Sequence, residues 1–158
     1  MTDWRVMDDS SEVPAARILD DPLVHRLAPA DDPDTQFFWA SGADGRLRIQ
    51  RCADCNYYVH PPARHCPMCG SDRCSPQTVS GHGRVHTFTV NYQQWVKDQC
   101  PYIVAIVELD EQTGLRLTSN VLGCGVDDVA IGMRVTAGFV ARHGVWYPVF
   151  VPSTAEAR

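Results

Sequence analysis

The spacing of hydrophobic and polar residues changes at about residue 80, and the second half of the chain has the pattern of β-strands. Apolar and polar residues alternate in residues 84–92, 115–121, 134–140 and 145–151, and residues 102–109 form a largely apolar run. A period of two is typical of a strand with one buried face, and the β-branched residues of the apolar run also favour a strand. We therefore expect five strands. In the first, the alternation places Val85 and Thr87 on one face and Phe88 on the other.

The connections between these strands suggest how the chain returns on itself. Residues 110–114 predict a hairpin turn, and residues 127–133 predict a short turn-helix that Asp127 and Asp128 would cap. Five short strands with a turn-helix before the fourth predict a small Greek-key barrel of the OB type. We assign this barrel to residues 80–152, with a short tail at 153–158.

The first half of the chain has weaker periodicity. Residues 1–34 are rich in Asp and Pro and predict an extended acidic arm. Within residues 35–46, three consecutive aromatic residues would form the apolar face of a short helix, which Asp34 or Thr35 would cap and Gly42 would end. Residues 47–79 begin with a short alternating strand and continue as a segment dense in Cys, Pro and Gly, which cannot build a conventional core.

Composition is that of an ordinary globular protein, but the charge is uneven. The 158 residues are 44% hydrophobic and 21% charged, which suits one domain or two small modules. The net charge of −5 divides into −7 in residues 1–45 and +2 in the remainder, so the negative sign belongs to the arm. An acidic total argues against a protein whose main task is to bind nucleic acid.

The cysteine content and the absence of a leader pattern indicate a compartment. The N-terminus lacks the basic and apolar regions of a signal peptide, and the longest apolar run, residues 102–107, is far shorter than the roughly 20 residues of a membrane span. Seven cysteines in such a chain favour a reducing environment, in which thiolates bind metals instead of forming disulfides. We therefore expect a cytoplasmic protein without membrane contact.

Four of the cysteines have the spacing of a metal site. Cys52 and Cys55 form one C-x2-C pair and Cys66 and Cys69 form another, with ten residues between the pairs. Two residues between thiols let a tight turn aim both sulfurs at one point, and two such turns complete a tetrahedral four-thiolate site that suits Zn²⁺. An iron site with four cysteine ligands has the same cysteine spacing, so the spacing does not distinguish iron from zinc. We expect one structural zinc ion per chain, in a closed site that stabilises the fold and does not activate water.

Few other residues suggest chemistry. The sequence has no nucleophile elbow, phosphate-binding loop or metalloprotease motif, and we expect no catalytic residues. His60 and His65 flank the cysteines, but four thiolates make them unnecessary as ligands. A group of arginines interleaved with Tyr57 and Tyr58 is either a solvated face or a grip for a phosphorylated ligand such as a nucleotide or coenzyme A. The group consists of Arg46, Arg48, Arg51, Arg64 and Arg73.

The order of these modules resembles a known family over about residues 35–152. The motifs that carry the resemblance are FFWASGADGRL, IQRCADC…PPARHCPMCGS, VSGHGRVHTFTV, PYIVAIVELDEQTGLRL and VAIGMRV. Together they are similar to the zinc-ribbon/OB-fold acyl-CoA-associated proteins, first described as domain of unknown function 35 (DUF35). The resemblance implies a mainly β protein with a short N-terminal helix, a rubredoxin-like zinc ribbon at 47–79 and a C-terminal five-stranded OB-fold barrel.

The resemblance also implies a function that depends on a partner. Family members are expected to be accessory subunits that bind thiolase-fold enzymes or acyl-CoA hydratases and help to form the acyl-CoA site. We therefore expect this chain to be inactive alone and to activate a thiolase-fold aldolase in a heterotetramer or larger complex. The reaction would be a retro-aldol C–C cleavage, for example in degradation of steroid side-chain acyl-CoA. Whether the partner is an aldolase, a thiolase or a hydratase stays open, as does the acyl group.

Two sets of residues are candidates for this role. Three arginines would contact the phosphates of coenzyme A: Arg48, Arg51 and Arg64. Three aromatic residues would anchor the partner, because such residues are enriched in interface cores: Tyr92, Trp95 and Tyr102. Trp95 fits a core position equally well. The alternative function is a nucleic-acid-binding OB-fold, which needs a basic groove with stacking aromatics. Residues 81–152 have a net charge of −1, so we expect no nucleic acid binding.

Overall fold

The computed structural model describes residues 16, 18–20, 27–94 and 101–153, which form mainly β-structure. A short helix, α1, spans Gln36–Ala40 and continues into a 3₁₀ turn at Ser41–Asp44. A small sheet follows, with strands β1 Arg48–Cys52, β2 Tyr58–Val59 and β3 Cys74–Thr78. The remaining strands are β4 His82–Asn91, β5 Tyr102–Leu109, β6 Arg116–Val121, β7 Arg134–Arg142 and β8 Val145–Pro152. Among the described residues, no helix is long and apolar enough to cross a lipid bilayer.

The five C-terminal strands close into a barrel in the order β4-β5-β6-β8-β7. β7 pairs back to β4 through Val135 and Gly83, and all pairs are antiparallel except β6 with β8, which meet at Val121 and Phe150. This is the Greek-key arrangement of a five-stranded OB barrel. The predicted fold class is confirmed, and each predicted strand lies within two residues of the observed bounds.

The barrel core comes from alternate residues of the strands. Every second residue of β5, from Ile103 to Leu109, is buried. Phe139 of β7 and Phe150 of β8 are the largest side chains that have no solvent contact. Burying a side chain of this kind stabilises a fold by roughly 1.5–3 kcal/mol. The alternation that predicts the strands therefore also identifies most of the core.

The predicted alternation of β4 is wrong beyond Val85. The register between β4 and β5 shifts between Val85 and Thr87, which marks a β-bulge at His86. One extra residue on a strand reverses the faces of all residues after it. Thr87 is consequently exposed, and Phe88 packs against the core on the face that Val85 occupies earlier in the strand.

The predicted turn-helix at residues 127–133 is also wrong, because this segment forms two turns and no helix. The Asp128 carboxylate accepts the Gly125 N–H at 3.2 Å, and the Asp128 N–H donates to the Gly125 carbonyl at 3.1 Å. Such local hydrogen bonds compete with helix formation. Gly132, with a φ of 86°, then turns the chain into β7.

Helix α1 forms where the sequence predicts it and begins after Thr35, one of the two predicted cap residues, but Gly42 does not end it. Thr35 occupies the N-terminal cap position without a side-chain capping bond, and Gly45, with a φ of 75°, follows the 3₁₀ turn. Gly42 has a different role, since a Cβ atom there would lie 2.5 Å from Cδ1 of Phe139. The lack of a side chain at Gly42 lets α1 and its 3₁₀ turn lie directly on the barrel.

Ile18 and Leu19 of the predicted arm lie along one edge of the barrel. β4 pairs with β7 only as far as Thr136, which leaves the rest of that edge of β7 to another partner. Ile18 forms a parallel bridge with Phe139, and the Leu19 N–H donates to the Phe139 carbonyl at 2.8 Å. The arm therefore supplies a backbone partner to an edge that the barrel itself leaves open.

Candidate metal centre and ribbon surface

The two cysteine pairs lie on two turns of matching geometry. In the first, the Asn56 N–H donates to the Cys52 carbonyl at 2.9 Å, and in the second the Gly70 N–H donates to the Cys66 carbonyl at 2.8 Å. Asn56 and Gly70 each follow the second cysteine of a pair and have φ values of 62° and 76°. Glycine and asparagine tolerate this left-handed conformation better than other residues, which explains why they occupy these positions.

The four predicted cysteines come together at one point. The Sγ atoms of Cys52, Cys55, Cys66 and Cys69 all lie within 4.8 Å of one another. The closest contacts join the two turns, at 3.6 Å between Cys52 and Cys69 and 3.5 Å between Cys55 and Cys66. A tetrahedral site with Zn–S bonds of about 2.3 Å has sulfur–sulfur distances of about 3.8 Å. The four thiols therefore have the spacing of a tetrahedral metal site, with two sulfurs buried and two near the surface.

The backbone around the site favours a thiolate at Cys52. The N–H groups of Cys55 and Asp54 are directed at the Cys52 sulfur and, against the cost of its burial, lower the pKa of this thiol to about 6. Cys74 lies opposite Cys52 in the β1–β3 pair and is not part of the cluster. Burial, and then the charge of Cys52, raise the pKa of the Cys74 thiol to about 11, so Cys74 stays neutral.

Strand β3, which no sequence pattern predicts, pairs with β1 at Cys52, and the residue before it holds the first cysteine turn in place. The Ala53 N–H donates to the Arg73 carbonyl at 2.8 Å, and the Arg73 side chain pairs with Asp54 at 2.9 Å. β3 has no apolar alternation and contains Pro76, so no pattern could have identified it. It forms an edge of the β2-β1-β3 sheet, where a residue without an N–H is tolerated.

His60 contacts the helix instead of the metal site. Its ring lies 4.9 Å from that of Phe38, centroid to centroid, and its Nδ1 atom is buried without a hydrogen-bond partner. Burial lowers the pKa of His60 to about 4, so the ring is neutral at physiological pH. His60 thus joins the ribbon to α1, while Trp39 of α1 contacts Tyr147 of the barrel at 5.9 Å.

A glutamine in the β5–β6 turn joins the ribbon to the barrel. Oε1 of Gln112 accepts the Tyr58 N–H at 2.8 Å, and Nε2 donates to the Tyr58 carbonyl at 3.1 Å. The neighbouring Glu111 carboxylate accepts the Ser80 N–H at 2.6 Å. Nothing in the sequence distinguishes Gln112 from a solvated turn residue, so sequence reasoning missed it.

The three arginines named for coenzyme A have different surroundings. Arg48 makes two hydrogen bonds to the Asp44 carboxylate, at 2.9 and 2.6 Å, and its side chain is only 14% exposed. Arg51 is three residues further along β1 and therefore on the opposite face; its guanidinium lies 5.2 Å from the Tyr58 ring centre. Arg64 is 82% exposed and pairs with Asp34 at 3.0 Å. Arg48 is thus committed to the fold, whereas Arg64 is open to solvent.

Two of the three aromatic candidates lie at neighbouring strand ends, because Tyr92 directly follows Asn91, which pairs with Tyr102. Tyr92 is 67% exposed at the end of β4. Tyr102 is partly buried and lines a groove between α1 and the barrel. Trp95 lies outside the described residues.

Comparison with known proteins identifies the family. Residues 39–73 match the family described as "ChsH2, rubredoxin-like zinc ribbon domain", and residues 76–140 match "ChsH2, C-terminal OB-fold domain". The chain is 36% identical to a "DUF35 domain-containing scaffold protein" of Methanothermobacter thermautotrophicus, over 59% of this chain and 71% of that protein. The chain belongs to the DUF35 family. The match confirms the resemblance expected from the sequence, including its rubredoxin-like ribbon.

Two curated relatives are longer than this chain. The chain is 36% identical to the "Probable enoyl-CoA hydratase alpha subunit" of Thermomonospora curvata, over 85% of this chain and 42% of that protein. It is 36% identical to the "3-oxo-4,17-pregnadiene-20-carboxyl-CoA hydratase alpha subunit" of Mycobacterium tuberculosis, over 72% of this chain and 36% of that protein. The chain thus spans about two fifths of the length of these curated relatives.

Two solved structures share the fold. One, named "Ltp2-ChsH2(DUF35) aldolase", is 36% identical with a TM-score of 0.73, over 80% of this chain and the whole of that chain. The other, a DUF35 protein from Sulfolobus solfataricus, is 15% identical with a TM-score of 0.54, over 77% of this chain and 86% of that chain. At 15% identity, the second comparison concerns the fold alone.

Proposed function

We propose that this chain is a non-catalytic subunit that binds and activates a thiolase-fold acyl-CoA aldolase, which cleaves a C–C bond in a steroid side-chain thioester. The observation that carries the proposal is the match to the DUF35 chain of Ltp2-ChsH2(DUF35) aldolase, which this chain covers completely at 36% identity. The steroid substrate is supported by the name of the Mycobacterium tuberculosis relative, a pregnadiene-carboxyl-CoA hydratase subunit.

A hydratase partner is the second candidate. Two curated relatives are named as alpha subunits of acyl-CoA hydratases. Because this chain spans only 42% and 36% of them, the hydratase activity of those relatives could reside in the part that the match does not cover. The aldolase is preferred because the whole of the matched aldolase chain aligns with this chain.

The metal of the four-cysteine site is proposed to be one structural zinc ion per chain. All four ligands would be sulfur, with the tetrahedral spacing described above, which leaves no position for substrate or water. The ion would hold the two cysteine turns together in a segment that has little apolar core of its own. In the complex, the ribbon would contribute structure and surface but no chemistry.

The exposed arginine of the ribbon is proposed to contact the phosphates of coenzyme A at the subunit interface. Arg64 suits this role because its guanidinium is open to solvent and its only described ion pair is with the exposed Asp34. Arg51 could assist, whereas Arg48 would have to break its paired hydrogen bonds to Asp44. Tyr92, Trp95 and Tyr102 remain the proposed aromatic anchors for the partner.

Co-expression with a thiolase-fold enzyme tests the proposal. An acyl-CoA cleavage assay should show activity for the two proteins together and none for either protein alone. Arg64→Gln should raise KM for the thioester about tenfold with little change in kcat, since it removes one charged phosphate contact. Arg116→Gln is the control, because Arg116 is also an exposed arginine in an ion pair but lies in the barrel, outside the ribbon. Full activity of the partner alone would refute the accessory role, and hydration without cleavage would favour the hydratase.

Oligonucleotide binding tests the remaining alternative. An OB barrel that served nucleic acid would bind single strands with an affinity that falls steeply with salt. We expect no such binding at physiological ionic strength, because residues 81–152 have a net charge of −1. Micromolar, salt-sensitive binding of a single-stranded oligonucleotide would replace the proposal with a nucleic-acid function.

A further inference from the structure

The barrel has an opening between β6 and β8. These strands share one register pair, Val121 with Phe150, although both run for five residues before it. Pro148 of β8 has no N–H to donate, and its carbonyl accepts the Ser119 hydroxyl at 2.6 Å. A side-chain bond thus replaces the strand ladder at this point. The surface beside it is a groove of about 430 Å³ between β5, β6, β8 and α1.

The lining of this groove is uncharged and largely apolar. None of its eleven lining residues carries a charge. Its walls include three large aromatic side chains, Trp39, Tyr102 and Tyr147, and Trp39 and Tyr147 contact each other edge to face at 5.9 Å. Leu27 lines the same groove and is 94% exposed. Leu27 therefore adds one exposed apolar side chain to the edge of the groove.

A second cavity of similar size has a charged lining, unlike the groove. It has a volume of about 400 Å³, lies on the other side of β5, and is lined by Arg84, Glu108 and Asp110 among others. Charged groups of both signs favour water there and disfavour an apolar ligand. The groove beside Pro148 instead combines a volume in the range of small-molecule sites with an uncharged aromatic lining.

We propose that this groove binds an uncharged, rigid, largely apolar organic group. The absence of charge in the lining excludes recognition of a phosphate or carboxylate, and the aromatic walls provide flat apolar surfaces for a fused ring system. The exposed hydroxyl of Thr118 provides a polar contact at the edge. If the proposed function holds, on which this identification of the ligand rests, the group is the acyl moiety of the thioester, and the groove forms one wall of its channel.

Binding of a neutral fluorescent ring compound to the whole chain tests the groove directly. Nile red should bind saturably with a blue-shifted emission, and progesterone, a neutral steroid, should displace it. Thr118→Trp places a bulky ring over the groove and should weaken both ligands at least tenfold. Thr87→Trp is the matched control, since Thr87 is an exposed strand threonine of the same barrel and does not line the groove. Its affinities should stay within twofold of wild type.

The outcomes separate this inference from the proposed function. Absence of saturable Nile red binding to the wild type, or equal binding by the two tryptophan variants, overturns the inference. Gel filtration with the thiolase-fold enzyme is measured in parallel. If Thr118→Trp abolishes assembly while the wild type binds neither ligand, the groove is a protein contact and the inference fails. If the wild type binds both ligands but never assembles with the enzyme, the groove stands and the proposed function fails.

Discussion

Removal of the Gln112 amide tests whether two hydrogen bonds hold the ribbon on the barrel. In Gln112→Leu, the Tyr58 N–H and carbonyl lose the partners that now lie at 2.8 and 3.1 Å. A protein hydrogen bond contributes about 0.5–1.5 kcal/mol net, and a stranded buried partner costs about 1–3 kcal/mol. Because this site is only partly buried, the lower values apply, and the expected loss of unfolding free energy is about 2 kcal/mol. For a chain of this size that corresponds to a Tm lower by about 6 °C.

Urea unfolding in the presence of zinc measures this loss of unfolding free energy. Two further variants serve as comparisons for Gln112→Leu. Gln112→Glu keeps an acceptor for the Tyr58 N–H and loses the donor to the Tyr58 carbonyl, so it should lose about half as much stability. Thr113→Ala alters the next, exposed residue of the same turn and should be neutral. Amide hydrogen exchange at Tyr58 should accelerate in Gln112→Leu. If Gln112→Leu is as stable as Thr113→Ala and Tyr58 exchange is unchanged, apolar packing holds the ribbon and the reasoning is refuted.

Three further predictions concern the metal site, the helix and pH. Cys52→Ala should lose the metal and unfold the ribbon, whereas Cys74→Ala should keep one zinc ion per chain. Elemental analysis of protein purified without added metal measures this, and iron in the wild type would contradict the zinc assignment. Gly42→Ala should lower the unfolding free energy by about 2 kcal/mol, because the new methyl group overlaps the Phe139 ring. An unfolding free energy within about 0.5 kcal/mol of wild type, measured by thermal unfolding, would argue against this tight contact. The pKa of His60 is about 4 in the folded chain and 6.5 ordinarily, so as the pH falls from 6.5 to 4 the unfolded chain takes up a proton first and the unfolding free energy drops by about 3 kcal/mol. In His60→Phe, the difference in unfolding free energy between pH 7 and pH 4 should be smaller by that amount. An unchanged difference would show that His60 does not titrate in this way.

Local patterns were sufficient for the barrel strands and for the choice of cysteines. The period-two alternation of β5 and β7 arises because one face of each strand must be buried, and burial favours apolar residues at every second position. The two C-x2-C pairs are equally local, since each pair lies within one tight turn and its geometry depends on few residues. Such features can be predicted without knowledge of the partner segments.

Features that depend on distant segments could not be predicted in this way. The bulge at His86 reverses the faces of β4, and its position is set by the pairing with β5, not by the residues of β4. Gly42 resembles a helix terminator in sequence, but its role is to make room for Phe139, which lies nearly one hundred residues away. The same holds for Gln112, whose amide is indistinguishable from that of a solvated turn until the ribbon packs against it.

The sequence by itself determined the fold class and the four cysteines that come together, because both rest on short-range periodicity or spacing, and the resemblance of its motifs indicated the family. The tertiary structure decided which polar residues are structural and which remain available for a ligand. Arg48 and Arg64 are both ribbon arginines in the sequence, yet the first is held in a partly buried pair with Asp44 while the second is open to solvent. It also created the groove beside Pro148, whose lining comes from α1 and three barrel strands. Burial and charge environment are sums over segments remote in the chain, so only their packing together could establish them.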